Sequence, residues 1–327
     1  MGKLPDIPNF EFPDGSPFPD NRQTILGETE IFGDDIIDSR ERIKVVLSAL
    51  VDDTPQSAIN INGKSVIWEE LMAPGYRCVE ADGVAHIEHI GLLRWLYSDL
   101  SVQIPSSYVP IFEDGRCASP LLDSCKNVGS RKIGRPLRVL RLREEIKVGD
   151  SSRCISAKPV EGDDVSLKID SNFDGPLKGI LDRRGISALR ANLSPEFIYA
   201  VAESRSNHGW LMQTAIDFFR RYHRLEFLAH PLMQKVYGRT ADLRHVAFNA
   251  ENIFVPDFSE QRKEFMQDGI NFEIAFHAAA DFLGLAGFLP GRPVGAEISR
   301  FCGGHTLDRE FWDTYLKNAQ AGDAKQR

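Results

Sequence analysis

Hydrophobic and polar residues first alternate as they do in β-strands and then recur at helical spacing, and this succession occurs twice along the chain. In the first half, Asn62-Gly63 lies between two short apolar runs and predicts a tight hairpin. A helix is predicted over residues 87–96, where apolar residues recur at every third position. The predicted strands of this half are residues 23–30, 43–50, 59–61, 66–68, 102–104 and 109–112.

The second half follows the same order, with a meander of three strands and then several helices. Ser194-Pro195 marks a helix start, because serine is a favoured N-cap and proline fits the first helical position. A glycine-containing loop, Gly303-Gly304-His305, precedes the last helix. The predicted strands are residues 138–148, 152–159, 164–170, 247–255 and 294–301, and the predicted helices are residues 194–205, 210–222, 272–283 and 308–317.

Strands followed by helices, twice, predict an α+β fold of two similar modules that face each other. A chain of 327 residues is long enough for two domains. We expect the first α+β domain over residues 21–127 and the second over residues 138–318, joined by a basic, glycine-containing linker at 128–137. The proline-rich residues 1–20 predict an extended arm, and residues 319–327 predict a disordered tail.

Amino-acid composition disfavours several classes of protein but does not indicate which reaction, if any, the protein catalyses. The chain is 42% hydrophobic and 26% charged, as globular domains are, and its net charge of −8 disfavours a nucleic-acid partner. Its five cysteines form no Cys-x-x-Cys pair, which favours a reducing compartment. There is no secretory signal and no apolar run long enough to span a membrane, so the sequence predicts a cytoplasmic protein with no membrane span.

Two polar residues of the helix over 272–283 carry candidate chemistry. His277 and Asp281 are four residues apart, so their side chains project from one side of the helix, about one turn apart. Imidazole nitrogens and carboxylate oxygens are ligands of zinc, which takes three protein ligands in catalytic sites. A third ligand must then come from elsewhere in the chain. The candidates are the other histidines, His86, His89, His208, His223, His230, His245 and His305.

Three motifs resemble those of the zinc-dependent UDP-3-O-acyl-N-acetylglucosamine deacetylases of lipid A synthesis. The Val-Glu-His motif of that family's first domain is similar to Ile87-Glu88-His89. Its His-x-x-x-Asp helix is similar to the segment from His277 to Asp281, and its Ser-Gly-His-Ala-Leu-Asn loop is similar to residues 303–308. The resemblance covers roughly residues 21–318, with the motifs in the same order.

This resemblance implies two domains, each a small β-sheet layered on helices, with the active site between them. It implies that His89, His277 and Asp281 bind zinc and leave a fourth position for water. Iron accepts the same kinds of ligand and is a possible replacement. The implied reaction is hydrolytic removal of an acyl group from an N-acylated small molecule, amino-sugar-like or other, by attack of the zinc-bound water.

The resemblance also implies three catalytic residues. Glu88, beside a ligand, accepts the proton of the attacking water, and His305 protonates the leaving amine or stabilises the oxyanion. Ser206 stands at about the place of a family threonine that helps to hold the oxyanion.

The sequence departs from the family pattern at two positions. One bears on substrate binding and the other on the carboxylate partner of His305. The family's lysine after the helix histidine is Ala278 here, and its aspartate four residues after the ligand aspartate is Leu285. That aspartate orients and charges the loop histidine, so His305 requires another acid, for which Asp308 is a candidate. We therefore expect a divergent paralogue with altered substrate recognition.

The sequence is also consistent with two alternatives to this hydrolase function. One is a non-catalytic relative that only binds the metal, which the loss of the lysine and the aspartate favours. The other is a divergent form of the lipid A deacetylase itself. Retention of both Glu88 and His305 favours a hydrolase, because a structural metal site requires neither residue.

Overall fold

The structure, a computed structural model, describes residues 8–10, 12, 16–34, 41–50, 59–71, 79–107, 109–110, 112, 116, 118–171, 188–204 and 263–323. The helix predicted over 210–222, the strand predicted over 247–255 and the predicted catalytic residue Ser206 lie outside the described residues.

In its described residues, the first half forms short strands and two helices. The strands are β1 (Asn21–Ile25), β2 (Thr29–Asp34), β3 (Arg42–Ala49), β4 (Ile59–Ile61), β5 (Lys64–Ser65), β6 (Glu80–Ala81), β7 (Val84–Ala85) and β8 (Leu100–Gln103). The helices are α1 (Glu88–Gly91), which continues into a 3₁₀ turn over Leu92–Trp95, and α2 (Ser119–Val128), and a further 3₁₀ turn covers Trp68–Glu70. The hairpin at Asn62-Gly63 is confirmed, but the strand predicted over 66–68 is wrong, because the return strand ends at Ser65.

The second half contains longer helices. The strands are β9 (Ser130–Pro136), β10 (Arg138–Leu142), β11 (Ile146–Gly149), β12 (Cys154–Pro159), β13 (Val165–Asp170), β14 (Ala188–Asn192), β15 (Met266–Gln267), β16 (Ile270–Asn271), β17 (Arg292–Val294), β18 (Ala296–Phe301) and β19 (Ala319–Asp323). The helices are α3 (Pro195–Glu203), α4 (Glu273–Ala286) and α5 (His305–Asn318), with a 3₁₀ turn over Lys263–Phe265.

Two five-stranded sheets share one topology. Their strand orders are β2-β3-β8-β4-β5 and β11-β12-β18-β13-β14. In each sheet the last strand along the chain lies at the centre, antiparallel to the second strand and parallel to the third. A segment that contains a helix, α1 in one case and α4 in the other, connects the fourth strand to this central strand. The predicted α+β fold of two similar modules is therefore observed.

The order of the second sheet corrects one expectation. The sequence predicted a meander over residues 138–170, in which β12 and β13 would be neighbours. Instead β18 lies between these two strands and pairs with both. The alternating pattern of a strand shows which face is buried but not which strand lies beside it, so this insertion left no local signal.

The predicted linker and tail both contain paired strands. Within the linker region, β9 pairs antiparallel with β1. The prediction of a disordered tail from residue 319 is wrong for its first part, because β19 pairs antiparallel with β10. Backbone hydrogen bonding orders these segments although neither has a strong apolar pattern.

Described residues of the N-terminal arm pack on the second module. The backbone nitrogen of Phe10 donates to the carbonyl of Arg190 in β14 at 2.8 Å. The Phe10 ring lies edge-on to Phe272 and Phe276, with centroids 5.1 and 4.9 Å apart. This arm therefore covers apolar surface beside the N-terminal turn of α4.

Helix α4 is the central helix of the described structure, as its sequence predicted. Of its residues only Asp281 is not buried, and its apolar side chains other than Ile274 join one hydrophobic cluster that includes residues of both modules. The helix is nevertheless too short to cross a membrane, and within the described ranges no helix is long and apolar enough to do so.

Helices α1 and α4 approach each other at the level of their backbones, through three glycines. A Cβ atom placed on Gly284 would lie 1.9 Å from the carbonyl oxygen of Glu88. One placed on Gly287 would lie 1.9 Å from the carbonyl oxygen of Gly91, and one on Gly91 would lie 1.9 Å from that of Gly284. Any larger residue at these positions would force the two helices apart.

Side chains that follow α1 hold the end of α4. The Arg94 guanidinium donates from Nη1 to the carbonyls of Gly287 at 2.8 Å and Leu289 at 2.7 Å. The indole nitrogen of Trp95 donates to the carbonyl of Leu283 at 2.9 Å. Gly287 and Leu289 lie at and just beyond the end of the helix, whereas the Leu283 carbonyl also accepts from the Gly287 nitrogen at 3.0 Å. The first module therefore supplies donors to the C-terminal end of the central helix of the second.

We predict that Gly284→Ala destabilises the protein, although alanine is favoured over glycine inside a helix by about 1 kcal/mol. The added methyl group would meet backbone, which cannot rotate away, and overpacking of this kind costs about 1–3 kcal/mol. The measurement is the free energy of unfolding in urea. Gly322→Ala is the control, because a Cβ atom there has nothing within 4 Å. Equal stability of the two variants would contradict the close packing of α1 on α4.

Candidate metal centre

Module one contributes two adjacent residues to the site, Glu88 and His89. Strand β7 ends at Ala85, and the next residue, His86, has a backbone φ of +63° that turns the chain into α1. Both Glu88 and His89 are buried, with exposures of 1% and 8%. The short helix therefore directs its polar first turn into the interior, towards α4.

Module two contributes His277 and Asp281 from one side of α4, as their spacing predicted. His277 is 4% exposed, and the Asp281 side chain is 21% exposed. The distance between His277 Nε2 and Asp281 Oδ1 is 3.6 Å. From the other module, His89 Nε2 lies 3.9 Å from the same oxygen. Two imidazole nitrogens thus converge on one carboxylate oxygen across the interface.

This arrangement fits a metal ion. In a tetrahedral zinc site with bonds of about 2.1 Å, the ligand atoms lie about 3.4 Å from one another. The observed separations of 3.6 and 3.9 Å are close to that value. Neutral imidazole nitrogens and a carboxylate oxygen are also the ligand types that zinc and iron accept.

Glu88 competes with His277 for the role of third ligand. Glu88, His89 and Asp281 each place one ligand atom within 4.8 Å of the other two. Both Glu88 oxygens have partners, however. Oε2 accepts a hydrogen bond from the Val79 backbone nitrogen at 3.0 Å, and Oε1 lies 3.5 Å from His86 Nδ1. On distance alone Glu88 completes the group, whereas the partners of its two oxygens argue for His277 as the ligand and Glu88 as a carboxylate beside the metal.

Burial keeps the two candidate ligand imidazoles neutral. It lowers the pKa of His89 to about 4, although the negative charges of Glu88 and Asp281 act in the opposite direction. Burial also lowers the pKa of His277 to about 4, and the charge of His305 adds to this effect. A neutral imidazole has a free lone pair, so both side chains are ready to bind a metal at neutral pH.

The two carboxyl groups shift in opposite directions. Burial raises the pKa of Asp281 and outweighs the positive charges of His305, His89 and Arg300. Burial also acts to raise the pKa of Glu88. The hydrogen bond from His86 and the positive charges of His305, His86 and His89 lower it, and together they outweigh the effect of burial. Its pKa falls well below the ordinary value, so Glu88 is ionised at neutral pH.

His305 lies at the start of α5 rather than in the loop that the sequence predicted. The helix begins at His305, three residues before the predicted start, and the Asp308 nitrogen donates to the Gly304 carbonyl at 2.8 Å. The charge of His305 lowers the pKa of Glu88, of His277 and of Asp281, so its electrostatic influence reaches the site. Within the described residues, its buried Nδ1 atom has no hydrogen-bond partner.

Asp308 does not supply the acid that His305 was expected to require. Its two oxygens accept hydrogen bonds from Arg300 Nε at 2.8 Å and Arg300 Nη2 at 2.9 Å, and both residues are buried. The guanidinium lies against Gly303, where a Cβ atom would be 2.3 Å from Arg300 Nε. This ion pair joins the end of β18 to the first turn of α5, so it orients the turn that carries His305.

The two departures from the family pattern have different surroundings. Leu285 is fully buried in the hydrophobic cluster, so its side chain packs in the core and offers no proton. Ala278 is 8% exposed and follows His277 directly. Neither position provides a charged group to the site.

The structure brings together Glu88, His89, His277, Asp281 and His305, which are five of the six residues predicted for the site. The sixth, Ser206, lies outside the described residues, as do the histidines at 208, 223, 230 and 245.

The sequence interpretation missed the glycines of α1 and α4 and the Arg300–Asp308 pair, and it did not foresee the contact of His86 with Glu88. Gly284 and Gly287 lie at the C-terminal end of the predicted helix, and glycine inside or at the end of a helical pattern can mark close backbone approach. The pairing of Arg300 with Asp308 leaves no such signal, because it depends on how α5 turns back on β18.

We predict that the chelator-treated protein loses stability as the pH falls from about 6.5 to about 4. Unfolded histidines titrate near 6.5, whereas folded His89 and His277 titrate at about 4. Between these values the unfolded chain binds protons that the folded chain does not, so the free energy of unfolding decreases by up to about 1.4 kcal/mol per pH unit for each histidine. The raised pKa of Asp281 opposes this at the lower end of the window.

Urea unfolding at a series of pH values measures this slope, and His277→Gln is the matched control, which should remove about half of it. A slope that is the same in the variant would show that His277 is not a buried neutral imidazole.

Comparison with known proteins does not assign the chain to a family. No protein-family model matches it, and a search of curated proteins finds no match.

Proposed function

We propose that the protein is a metal-dependent hydrolase that removes an acyl group from an N-acylated small molecule. The observation that carries the proposal is the convergence of His89, His277 and Asp281 beside a buried, ionised Glu88. A site that only holds a metal for structure is closed by a fourth protein ligand and has no use for an adjacent carboxylate. Three ligands with an adjacent base are typical of catalytic sites.

In the proposed reaction, one water molecule adds to the acyl carbonyl and the carbon–nitrogen bond breaks, which gives a carboxylate and an amine. His89, His277 and Asp281 would hold the metal. A bound zinc or iron ion supplies a water molecule whose pKa is lowered to about 7, and it polarises the carbonyl. Glu88 is ionised and lies beside the candidate ligands, so it is the group placed to accept a proton from the attacking water. Binding of the metal and the substrate would have to raise its proton affinity for that step.

His305 is proposed to act on the leaving group. An imidazole near neutral pH can donate a proton to the departing nitrogen and accept one again for the next turnover. Its position at the first residue of α5, held by the Arg300–Asp308 pair, keeps it close to Glu88 and Asp281. The proposal places this reaction in the cytoplasm, in keeping with five cysteines that form no Cys-x-x-Cys pair.

A second candidate is a protein that binds the metal without turnover. The observation that favours it is the state of His305, whose buried Nδ1 has no partner among the described residues, while Asp308 is engaged by Arg300. A carboxylate partner orients an imidazole and stabilises its protonated form, so an imidazole without one is less able to act as a proton donor. Metal binding in the absence of any hydrolysis of N-acyl substrates would favour this candidate.

We predict about one zinc or iron ion per chain in protein purified without chelator, measured by elemental analysis. His89→Ala and His277→Ala should lose the metal, because each removes one of three ligands from opposite sides of the module interface. His305→Ala is the control and should keep it. Retention of metal by His277→Ala, together with its loss in Glu88→Gln, would instead assign the third ligand to Glu88. No metal in the folded wild-type protein, even after zinc is added, would refute the proposal.

We predict that Glu88→Gln keeps the metal and loses about 10²–10⁴-fold in the rate of hydrolysis, because glutamine fills the same space without accepting a proton. The assay is release of a primary amine from a panel of N-acyl amino sugars, with and without an attached nucleoside diphosphate. Glu297→Gln, which removes a carboxylate of a surface ion pair with Lys158, is the control. A Glu88→Gln enzyme that is as active as this control would exclude Glu88 as the base.

A further inference from the structure

The backbone at His86 is in an unusual conformation. Five described non-glycine residues have a positive φ. Three of them, Asn62, Asp82 and Asp268, each precede a glycine in a hairpin turn, where such angles are expected. The other two, His86 and Cys302, lie beside the candidate metal centre, one before Glu88 and one before His305. Strain of this kind persists where the surrounding structure requires it, and it is concentrated at functional sites.

The side chain of His86 is directed towards the proposed base. His86 Nδ1 lies 3.5 Å from Glu88 Oε1, and the two side chains are 13% and 2% exposed. The His86 ring also lies nearly parallel to the His89 ring, with 6.4 Å between centroids and 22° between planes. The imidazole therefore lies between solvent and the two buried residues that α1 contributes to the site.

Glu88 is held at both of its oxygens. Val79, in the segment before β6, donates its backbone N–H to Oε2 at 3.0 Å, and His86 contacts Oε1. A carboxylate with two fixed partners has one rotamer available, so it faces the reacting atoms without further ordering. A turn alone does not require an imidazole at this position, because glycine or asparagine adopts a positive φ at lower cost.

We propose that His86 is a positioning residue, which holds the Glu88 carboxylate against the Val79 amide and accepts a strained backbone conformation in order to reach it. The consequence for catalysis rests on the proposed hydrolase function. The contact itself does not, and it is open to test in the protein without metal.

Two substitutions separate the side chain from the backbone. His86→Gly allows the positive φ but removes the contact with Glu88. His86→Asn also tolerates the positive φ, and its Nδ2 atom occupies nearly the same place as Nδ1 of histidine, so it keeps a donor for Oε1. A difference between these two variants therefore reports the hydrogen bond and not the turn.

The first readout is independent of activity. The Val79 amide signal in a ¹H–¹⁵N NMR spectrum of the chelator-treated protein reports the bond to Glu88 Oε2. We expect it to shift upfield and to exchange faster with solvent in His86→Gly, and to return towards the wild-type position in His86→Asn. Glu88→Gln marks the position of an amide without a carboxylate partner. An unchanged Val79 signal in His86→Gly would overturn the proposal.

The second readout is the rate with the N-acyl substrates that the wild-type protein hydrolyses. We expect kcat to fall by about 10–100-fold in His86→Gly with KM and metal content little changed, as is usual when a supporting hydrogen bond is removed. His86→Asn should recover most of the loss, and its Tm should be no lower than that of wild type, because asparagine relieves the strain. Equal losses of kcat in both variants, or none in His86→Gly, would overturn the positioning role even if the hydrolase function holds. Absence of metal and hydrolysis in wild type would refute that function, and the Val79 signal would still decide whether His86 holds Glu88.

Discussion

The close approach of α1 and α4 is the constraint on which the candidate site depends. The contacts of Glu88 with Gly284 and of Gly91 with Gly287 advance by three residues on each helix, so the two helices run side by side in the same direction. His89 directly follows Glu88, and Asp281 lies about one helical turn before Gly284. The distance of 3.9 Å between their ligand atoms is therefore a result of backbone packing between the modules. A metal ligand set divided between two modules can form only where side chains do not hold the helices apart.

Burial gives the site its electrostatic character. The imidazoles of His89 and His277 are neutral because a charged form would be poorly solvated, while Glu88 stays ionised through its hydrogen bonds and the charges around it. Arg300, whose charge acts on His277 and Asp281, is matched by Asp308 through two hydrogen bonds. The candidate ligand atoms are partly desolvated and lie beside the ionised Glu88, and a bound divalent cation would offset that negative charge.

Local patterns predicted those features that depend on local interactions. The N-cap at Ser194 is confirmed by the bond from the Phe197 nitrogen to its hydroxyl at 3.1 Å, and the helix that carries His277 and Asp281 lies where its apolar spacing placed it. The insertion of β18 between β12 and β13 was not predictable from these patterns, because it pairs segments that are far apart along the chain. The start of α5 at His305 was missed for a similar reason, since the Arg300–Asp308 pair that fixes this turn is a tertiary contact.

The repeated topology shows which part of the site can change without loss of the rest. Helices α1 and α4 occupy the same place in their modules, between the fourth strand and the central strand, and together they carry Glu88, His89, His277 and Asp281. His305 comes from a different place, the connection that follows β18. In that connection an arginine–aspartate pair orients the turn that carries His305. Substitutions in the connection between β18 and α5 would alter the proton donor and the substrate contacts. Helices α1 and α4, which would hold the metal, would keep their geometry. The chemistry particular to this chain is therefore expected at the β18–α5 connection, and the capacity to bind a metal at the contact of α1 with α4.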